Sequence, residues 1–412
     1  MNKEFYINKR NEFAEKMDDF SVAVIYSKKP PKSSLDESYE FVVDRNFYYL
    51  TGINKEDMVL VMHKSFGVVT ERLYIPKIDP MFEKWFGIMM NKEEAYEISG
   101  IEAIVDREDF ESDLASMFST MDLMENLYIL TDLTDINAEL DEYKRLANKM
   151  RIQFPCLNIK NAFGFMMELR SVKEKCEIDE IIKAIDITKE SLEFLMKNMH
   201  ADMWEYEVRA HYEYQLMMRN SSPSFPTIAA GGERAVILHY VDLQEKIKNN
   251  ELVMCDLGAL SNLYCSDISR TYPVNGKFTA KQKEVYNIVL EAQKVAADKM
   301  SVGASEKDCN KAVIDFFAKA LKTIKLINDP NEVGKYYYHS IGHSLGLDCH
   351  DLRNRDRKYH NNCVYTIEPG LYIKEWGIGI RIEDDVLVND KGITWLSKDI
   401  IKSVNDIENF MK

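Results

Sequence analysis

No stretch of this chain approaches the run of about 20 apolar residues that a membrane-spanning helix needs. The opening segment MNKEFYINKRNEFAEKM has no apolar core of the kind a secretory signal carries, so none is expected. Low-complexity segments and C-x-x-C spacings are missing as well. Positive charge is in deficit: 53 Lys and Arg stand against 68 Asp and Glu, a formal net charge of −15. A surface of that sign repels nucleic acid and anionic membranes, so neither is expected as a partner. Seven cysteines, an odd number without metal-type pairing, suit reduced thiols rather than a disulfide framework. A cytoplasmic location is therefore expected, with each thiol read first as a small buried hydrophobe. Histidine is scarce too, eight in 412 residues, which makes its distribution informative.

The length allows two domains, and 46% hydrophobic residues can fill their cores. In the first part FSVAVIYS (20–27), DMVLVMH (57–63) and RLYIP (72–76) read as buried strands, and NKEEAYEIS and FESDLASMFSTM as helices. KKPPKSS (28–34) reads as a loop. Strands alternating with helices predict an α/β domain with a mainly parallel or mixed sheet. From 171 to 199 the apolar positions Ile178, Ile181, Ile182, Ile185, Thr188 and Leu192 recur at helical spacing. Cys156 to Arg170 is read as the crossing between domains, with the boundary at 160. Beyond residue 225 come strand-like segments and helices near 279–300 and 306–325, predicting an α+β domain on a curved antiparallel sheet.

Two hairpins each carry two acids. In ELVMCDLGALSNLYCSDISRTYPV (251–274), pairing Asp256 with Asp267 centres the turn between Ser261 and Asn262, among turn-forming residues. In VYTIEPGLYIKEWGIGIRIEDDVLV (364–388), pairing Glu368 with Glu383 centres the loop between Glu375 and Trp376, beside Gly377 and Gly379. Like charges opposed in a sheet are destabilising, and worse when buried. Either the acids face solvent or are neutralised by Arg270 and Arg381, or they gather around a pair of divalent cations.

Three of the eight histidines crowd into HSIGHSLGLDCHD (339–351). HSIGH superficially resembles the zinc-protease motif H-E-x-x-H. Ser340 stands where that motif needs its glutamate, and Gly342 and Gly346 weaken a helix. Packed core histidines or one wall of an active site remain, with His239 in AVILHYV as a fourth member.

The order Asp256, Asp267, His343, Glu368, Glu383 resembles the five-ligand set of the pita-bread metallopeptidases. HSIGHSLGLDCHD, TIEPGLYI and GIRIEDDVLV resemble the aminopeptidase P and prolidase branch of that family rather than the methionine aminopeptidases. SYEFVVDRNFYYLTGI (38–53) resembles the signature of the branch's creatinase-like N-terminal domain. The likeness covers nearly the whole chain. It implies an α/β N-terminal domain over 1–160 and a catalytic pita-bread domain over 161–412, with a pseudo-two-fold relating the halves of the latter. It also implies two divalent ions, Mn²⁺ first, with Co²⁺ or Zn²⁺ as alternatives.

Residue by residue, the resemblance implies that Asp256 chelates one ion, Asp267 and Glu383 bridge both, and His343 and Glu368 bind the second. A bridging water or hydroxide of lowered pKa would attack the peptide carbonyl. Glu368 would shuttle a proton to the leaving nitrogen. His350 would stabilise the oxyanion and bind substrate. His239 and His339 would line the pocket for the proline ring, with His239 and Arg381 counted among the catalytic residues. Arg381 and Tyr372 would hold a surrounding hydrogen-bond network that also positions substrate, and Asp36 is a further member. Trp85 is read as a surface or core residue, or as reaching a neighbouring subunit's site as aromatics do in some relatives.

The activity so implied is that of an Xaa-Pro aminopeptidase acting on short proline-containing peptides, assembled as a homodimer or homotetramer. A prolidase, limited to Xaa-Pro dipeptides, is the alternative, with Arg353, Arg355 or Arg357 as the carboxylate anchor. From other classes stand a non-catalytic pita-bread binding protein and a metal-free hydrolase of guanidino compounds, relatives that usually lose the ligand set. Two segments depart from the family pattern: HDLRNRDRKYHNN (350–362) is Arg-rich where Val-Gly is usual, and Ala230 and Gly231 replace a glycine and a serine.

Overall fold

Short apolar runs separated by polar turns build a six-stranded mixed sheet in the first part of the chain. Its strands are β1 (Ser21–Tyr26), β2 (Val59–Ser65), β3 (Val68–Ile75), β4 (Ile104–Asp106), β5 (Asn126–Ile129) and β6 (Asn158–Asn161), in the order β4-β3-β2-β1-β5-β6. β2 runs antiparallel to β1 and β3, whereas β1–β5, β3–β4 and β5–β6 are parallel. The central β1 is buried at all six positions, which explains its unbroken apolar run SVAVIY. The accompanying helices are α1 (Lys3–Glu15), α2 (Arg45–Thr51), α3 (Pro80–Phe86), α4 (Lys92–Ser99), α5 (Phe110–Met117), α6 (Glu142–Gln153) and α7 (Phe163–Ser171). Asp44 caps α2 by accepting from the amides of Asn46 and Phe47, and Asn91 and Glu94 form a capping box on α4. The computed structural model describes residues 1–119, 124–131 and 140–412, so the last two residues of FESDLASMFSTM lie outside the described ones.

The chain divides into two compact units, Met1–Leu169 and Arg170–Lys412. The first extends beyond residue 160, because β6 completes its sheet and α7 follows directly.

In the second unit one order of elements occurs twice. The helix pair α8 (Lys175–Asn198) and α9 (Glu205–Met217) precedes β7 (Ile228–Gly231), β8 (Leu252–Leu257), β9 (Leu260–Ser261), β10 (Tyr264–Cys265) and β11 (Ile268–Pro273). The pair α10 (Ala280–Ala297) and α11 (Glu306–Thr323) precedes β12 (Val364–Ile367), β13 (Gly370–Ile373), β14 (Ile378–Arg381), β15 (Asp384–Asn389) and β16 (Gly392–Trp395), and α12 (Val404–Phe410) follows. Every ladder here is antiparallel: β7–β8–β11, β9–β10, β12–β15–β16 and β13–β14.

The buried face of α8 includes Ile181, Ile185, Thr188 and Leu192 but also Glu177 and Glu180, while Ile178 and Ile182 are only half-buried. Both acids are satisfied: Tyr264 Oη donates to Glu177, and Ser261 Oγ and Asn262 Nδ2 donate to Glu180. Two buried carboxylates of α8 thus hold the tip of the hairpin that carries Asp256 and Asp267.

The first hairpin differs from expectation by two in register. Asp256 lies opposite Ser269, not Asp267, and Ser261 opposite Tyr264. The turn therefore centres on Asn262 and Leu263, both at positive φ (45° and 67°), the pattern of a type I′ hairpin turn. A leucine in that conformation is unusual, and the polarity of the segment gave no sign of it. Asp256 and Asp267 still share a face, diagonally, because a shift of two preserves the strand alternation. In the second hairpin the register matches: Gly370 pairs with Arg381 and Ile373 with Ile378, with Gly377 at φ 60° closing the loop. The β12–β15 ladder continues the same pairing, so Glu368 and Glu383 lie across from each other between the two ladders.

Candidate active site

Segment 339–343 is not helical. It runs beside β12, with the His343 amide donating to Thr366 Oγ1 (3.1 Å) and the Thr366 amide to His343 O (2.9 Å). A Cβ on Gly342 would fall 2.1 Å from Thr366 O, so only glycine permits this approach. The zinc-protease helix is thereby excluded, and the histidines instead form one wall of a cavity of about 730 Å³. Asp256, Asp267, His343, Glu368 and Glu383 line it together with His239, His339, His350 and Arg381.

Within it, His343 Nε2 stands 3.4 Å from Asp267 Oδ2 and 3.8 Å from Glu368 Oε1. Asp267, His343 and Glu383 each offer a donor atom within 4.8 Å of the others. Ser269, missed by the sequence reading, joins the two hairpins. Its Oγ lies 3.0 Å from Asp256 Oδ1 and 2.7 Å from Glu383 Oε2, and accepts from Arg381 Nε at 2.7 Å. One hydroxyl proton can serve only one of the two carboxylates at a time. Its place two residues after Asp267 on the same strand face was the available signal.

Charge compensation is incomplete. Arg381 is buried and reaches Asp256 Oδ2 at 2.5 Å. Arg270 is taken up elsewhere, by the equally buried Asp384 (2.7 Å), because β-alternation turns it away from the cavity. Asp385, also missed, lies behind the site and accepts from the Asp267 amide. Asp267 Oδ1 and Asp385 Oδ1 are buried without any hydrogen-bond partner.

The electrostatics follow. Burial pushes the carboxyls of Asp256, Glu383 and Asp385 upward, and that of Glu368 up to about 7. For His343, burial opposes the charged form but Asp267 and Glu368 outweigh it, raising the imidazole to about 9. Such a set, acid-rich with an orphaned buried oxygen, fits hard or borderline divalent cations.

Around this centre Tyr372 Oη bonds His339 Nε2 at 2.8 Å and Arg381 Nη1 at 3.1 Å. Burial, then Arg381, lowers His339 to about 4, leaving it neutral near pH 7. His350 is exposed at the rim, its ring stacked on His343 with centroids 3.9 Å apart. His239 is exposed beside Leu238 and Val241. Arg353 lines the cavity and is ion-paired to Glu306 (2.6 Å), whereas Arg355 and Arg357 are exposed. In the first unit Asp36 is exposed and accepts from Ser34 Oγ, and Trp85 is exposed on α3.

The model of the aminopeptidase P N-terminal domain matches residues 6–128 and that of metallopeptidase family M24 matches 179–390. The Xaa-Pro aminopeptidase of Haemophilus influenzae is 29% identical over 429 residues, covering 99% of this chain and 97% of its own. Among solved structures, a Bacillus anthracis protein assigned as an aminopeptidase P matches with a TM-score of 0.98 at 38% identity, covering 100% of this chain and 98% of that one. Zinc-substituted Escherichia coli aminopeptidase P in complex with product matches at 0.91 and 26% identity, with the same coverage. An acid-rich cavity on antiparallel hairpins, matched from end to end by such relatives, places this chain in metallopeptidase family M24, with an aminopeptidase P N-terminal domain ahead of it.

Proposed function

We propose that the chain is a metal-dependent Xaa-Pro aminopeptidase, which hydrolyses the bond between an N-terminal residue and a following proline in short peptides. The observation that carries this reading is the convergence of four carboxylates and His343 on one cavity with Arg381, among the described residues, as the single arginine bonded to any of the four. Asp256, Asp267, His343, Glu368 and Glu383 would together hold the divalent ions. Ions held there would supply Lewis acidity and lower the pKa of a bound water.

The chain's own residues do the rest. Glu368 receives a proton and delivers it to the leaving imino nitrogen. His350, at the rim, donates to the carbonyl oxygen as charge develops on it. His239 and His339 flank the proline ring, which the apolar wall of Phe225, Ile228, Leu238 and Val241 receives. Tyr372 holds His339 and, with Arg381, keeps Asp256 oriented. An acyl-proline bond has no N–H, so a site that grips the ring avoids the amide contact on which other peptidases rely.

Mn²⁺ is the proposed ion, from the preponderance of carboxylate oxygen. A homodimer or homotetramer in the cytoplasm is the proposed form; exposed Phe82, Trp85 and Phe86 on α3 favour self-association over a free monomer. The first unit is proposed as the creatinase-like N-terminal domain and the second as the catalytic one. Prolidase activity would need a free cation for the proline carboxylate, and the one arginine of the 353–357 group that lines the cavity is already paired to Glu306.

The deciding experiment offers an Xaa-Pro dipeptide and an Xaa-Pro-Xaa tripeptide to chelated protein, before and after Mn²⁺ is restored. Metal-dependent release of the first residue of the tripeptide is expected. Cleavage of the dipeptide alone would make the chain a prolidase, and cleavage of neither would leave a binding protein.

A further inference from the structure

Cys349 is the one cysteine among the described residues that lines the cavity. Cys255, adjacent to Asp256 in β8, points to the opposite strand face and is fully buried there. Cys349 Sγ lies 2.9 Å from Asp267 Oδ2, the oxygen that is also 3.4 Å from His343 Nε2. Donor atoms of Cys349, His343 and His350 all lie within 4.8 Å of one another. Bonds of about 2.3 Å to sulfur and 2.0–2.2 Å to nitrogen or oxygen put neighbouring donors of one ion roughly 3–4 Å apart, close to the 2.9 Å and 3.4 Å by which Asp267 Oδ2 stands from Cys349 Sγ and His343 Nε2.

A second observation points to a ligand at this place. Asp267 is only 4% exposed, and its Oδ1 has no partner although Oδ2 faces both the thiol and the imidazole. The thiol is also held in position by its loop. The Asp351 amide donates to Ser344 O, and the Asp351 carboxylate is buried against Arg170 and Lys173. These contacts anchor the loop two residues beyond Cys349 beside the cavity.

We propose that Cys349 is a sulfur donor to the metal centre whenever the bound ion is thiophilic. The chain then holds Zn²⁺ or Co²⁺ more tightly, relative to Mn²⁺, than carboxylates and one imidazole alone would. Thiolate selects the softer ions, whereas Mn²⁺ is satisfied by oxygen and leaves the thiol as a donor to Asp267. On coordination the thiol proton passes to solvent and the thiolate forms the bond to the ion. The inference rests on the metal centre described under the proposed function.

The test uses full-length protein stripped of metal and titrated with Co²⁺. Two equivalents should bind, with a near-ultraviolet thiolate-to-cobalt charge-transfer band in the unmodified chain. The band should vanish in Cys349→Ser and persist in Cys156→Ser, whose thiol is exposed in the first unit. Competition of Zn²⁺ against Mn²⁺ should show the Zn²⁺ preference falling at least about tenfold in Cys349→Ser, the lower end of what a group supporting a metal site contributes. Two bound equivalents with no such band and an unchanged preference would overturn the sulfur ligand and leave the centre standing. No stoichiometric Co²⁺ at all would overturn both.

Discussion

Arg381→Met removes, among the described residues, the one arginine bonded to any of the four clustered carboxylates, at Asp256, while nearly conserving volume. In the native chain its guanidinium reaches Asp256, Ser269 and Tyr372 at once, and both Arg381 and Asp256 are buried. Removing one partner of a buried ion pair costs about 3–5 kcal/mol, since the remaining charge is left uncompensated. For a domain of this size each kcal/mol shifts Tm by about 2–4 °C, so metal-free protein should melt roughly 6–20 °C lower. Divalent ions should then stabilise the variant more than the parent, because the cavity has lost a competing positive charge. An ion at a hundred times its Kd contributes about 2.7 kcal/mol per site. Thermal unfolding with chelator and with saturating Mn²⁺, in both proteins, gives the four temperatures needed. Equal melting of the two metal-free proteins, or a smaller metal-induced rise in the variant, would refute the view that unbalanced carboxylate charge organises this site.

Asp267→Asn and Glu383→Gln should each lose bound metal and peptidase activity together, measured by elemental analysis beside tripeptide hydrolysis; full metal content with normal turnover would end the shared-ligand assignment. Tyr372→Phe deletes hydrogen bonds to His339 and Arg381. One bond to a charged group is worth about 1.5–3 kcal/mol, so kcat/KM should fall roughly 10- to 150-fold with metal content unchanged. Asp351→Asn breaks the buried cluster with Arg170 and Lys173, at about 3–5 kcal/mol in urea unfolding. Burial works to raise the Asp351 carboxyl, but Arg170 and Lys173 outweigh it and hold it below the usual carboxylate range. Its contribution is therefore present above the unfolded pKa of about 3.9 and lost as pH falls through the lower folded value. The variant should accordingly lose less stability than the parent on acidification below about pH 4, and an unchanged acid profile would remove Asp351 from the account.

Period and punctuation were enough to place most elements, because they report only on local geometry. The strands at 21–26 and 59–65 and the helices at 280–297 and 306–323 fall where the apolar patterns put them. The pairing of the second hairpin was legible because Gly377 marks its turn. The first was misplaced because Leu263 adopts a backbone conformation that no leucine advertises, and because the carboxylates of α8 grip the turn from another element.

By itself, then, the sequence determined which acids and histidines come to line one cavity, since their motifs keep residue type and spacing together in short segments. Only the tertiary structure decided how their charges are met. Arg270 turns away to Asp384, Arg381 alone stays with Asp256, Ser269 ties the two hairpins, and Cys349 comes to face Asp267. Each of those outcomes depends on which face of a strand or loop meets another element far along the chain. Compensation of buried charge is set by such distances in space, and spacing along one segment carries no record of them.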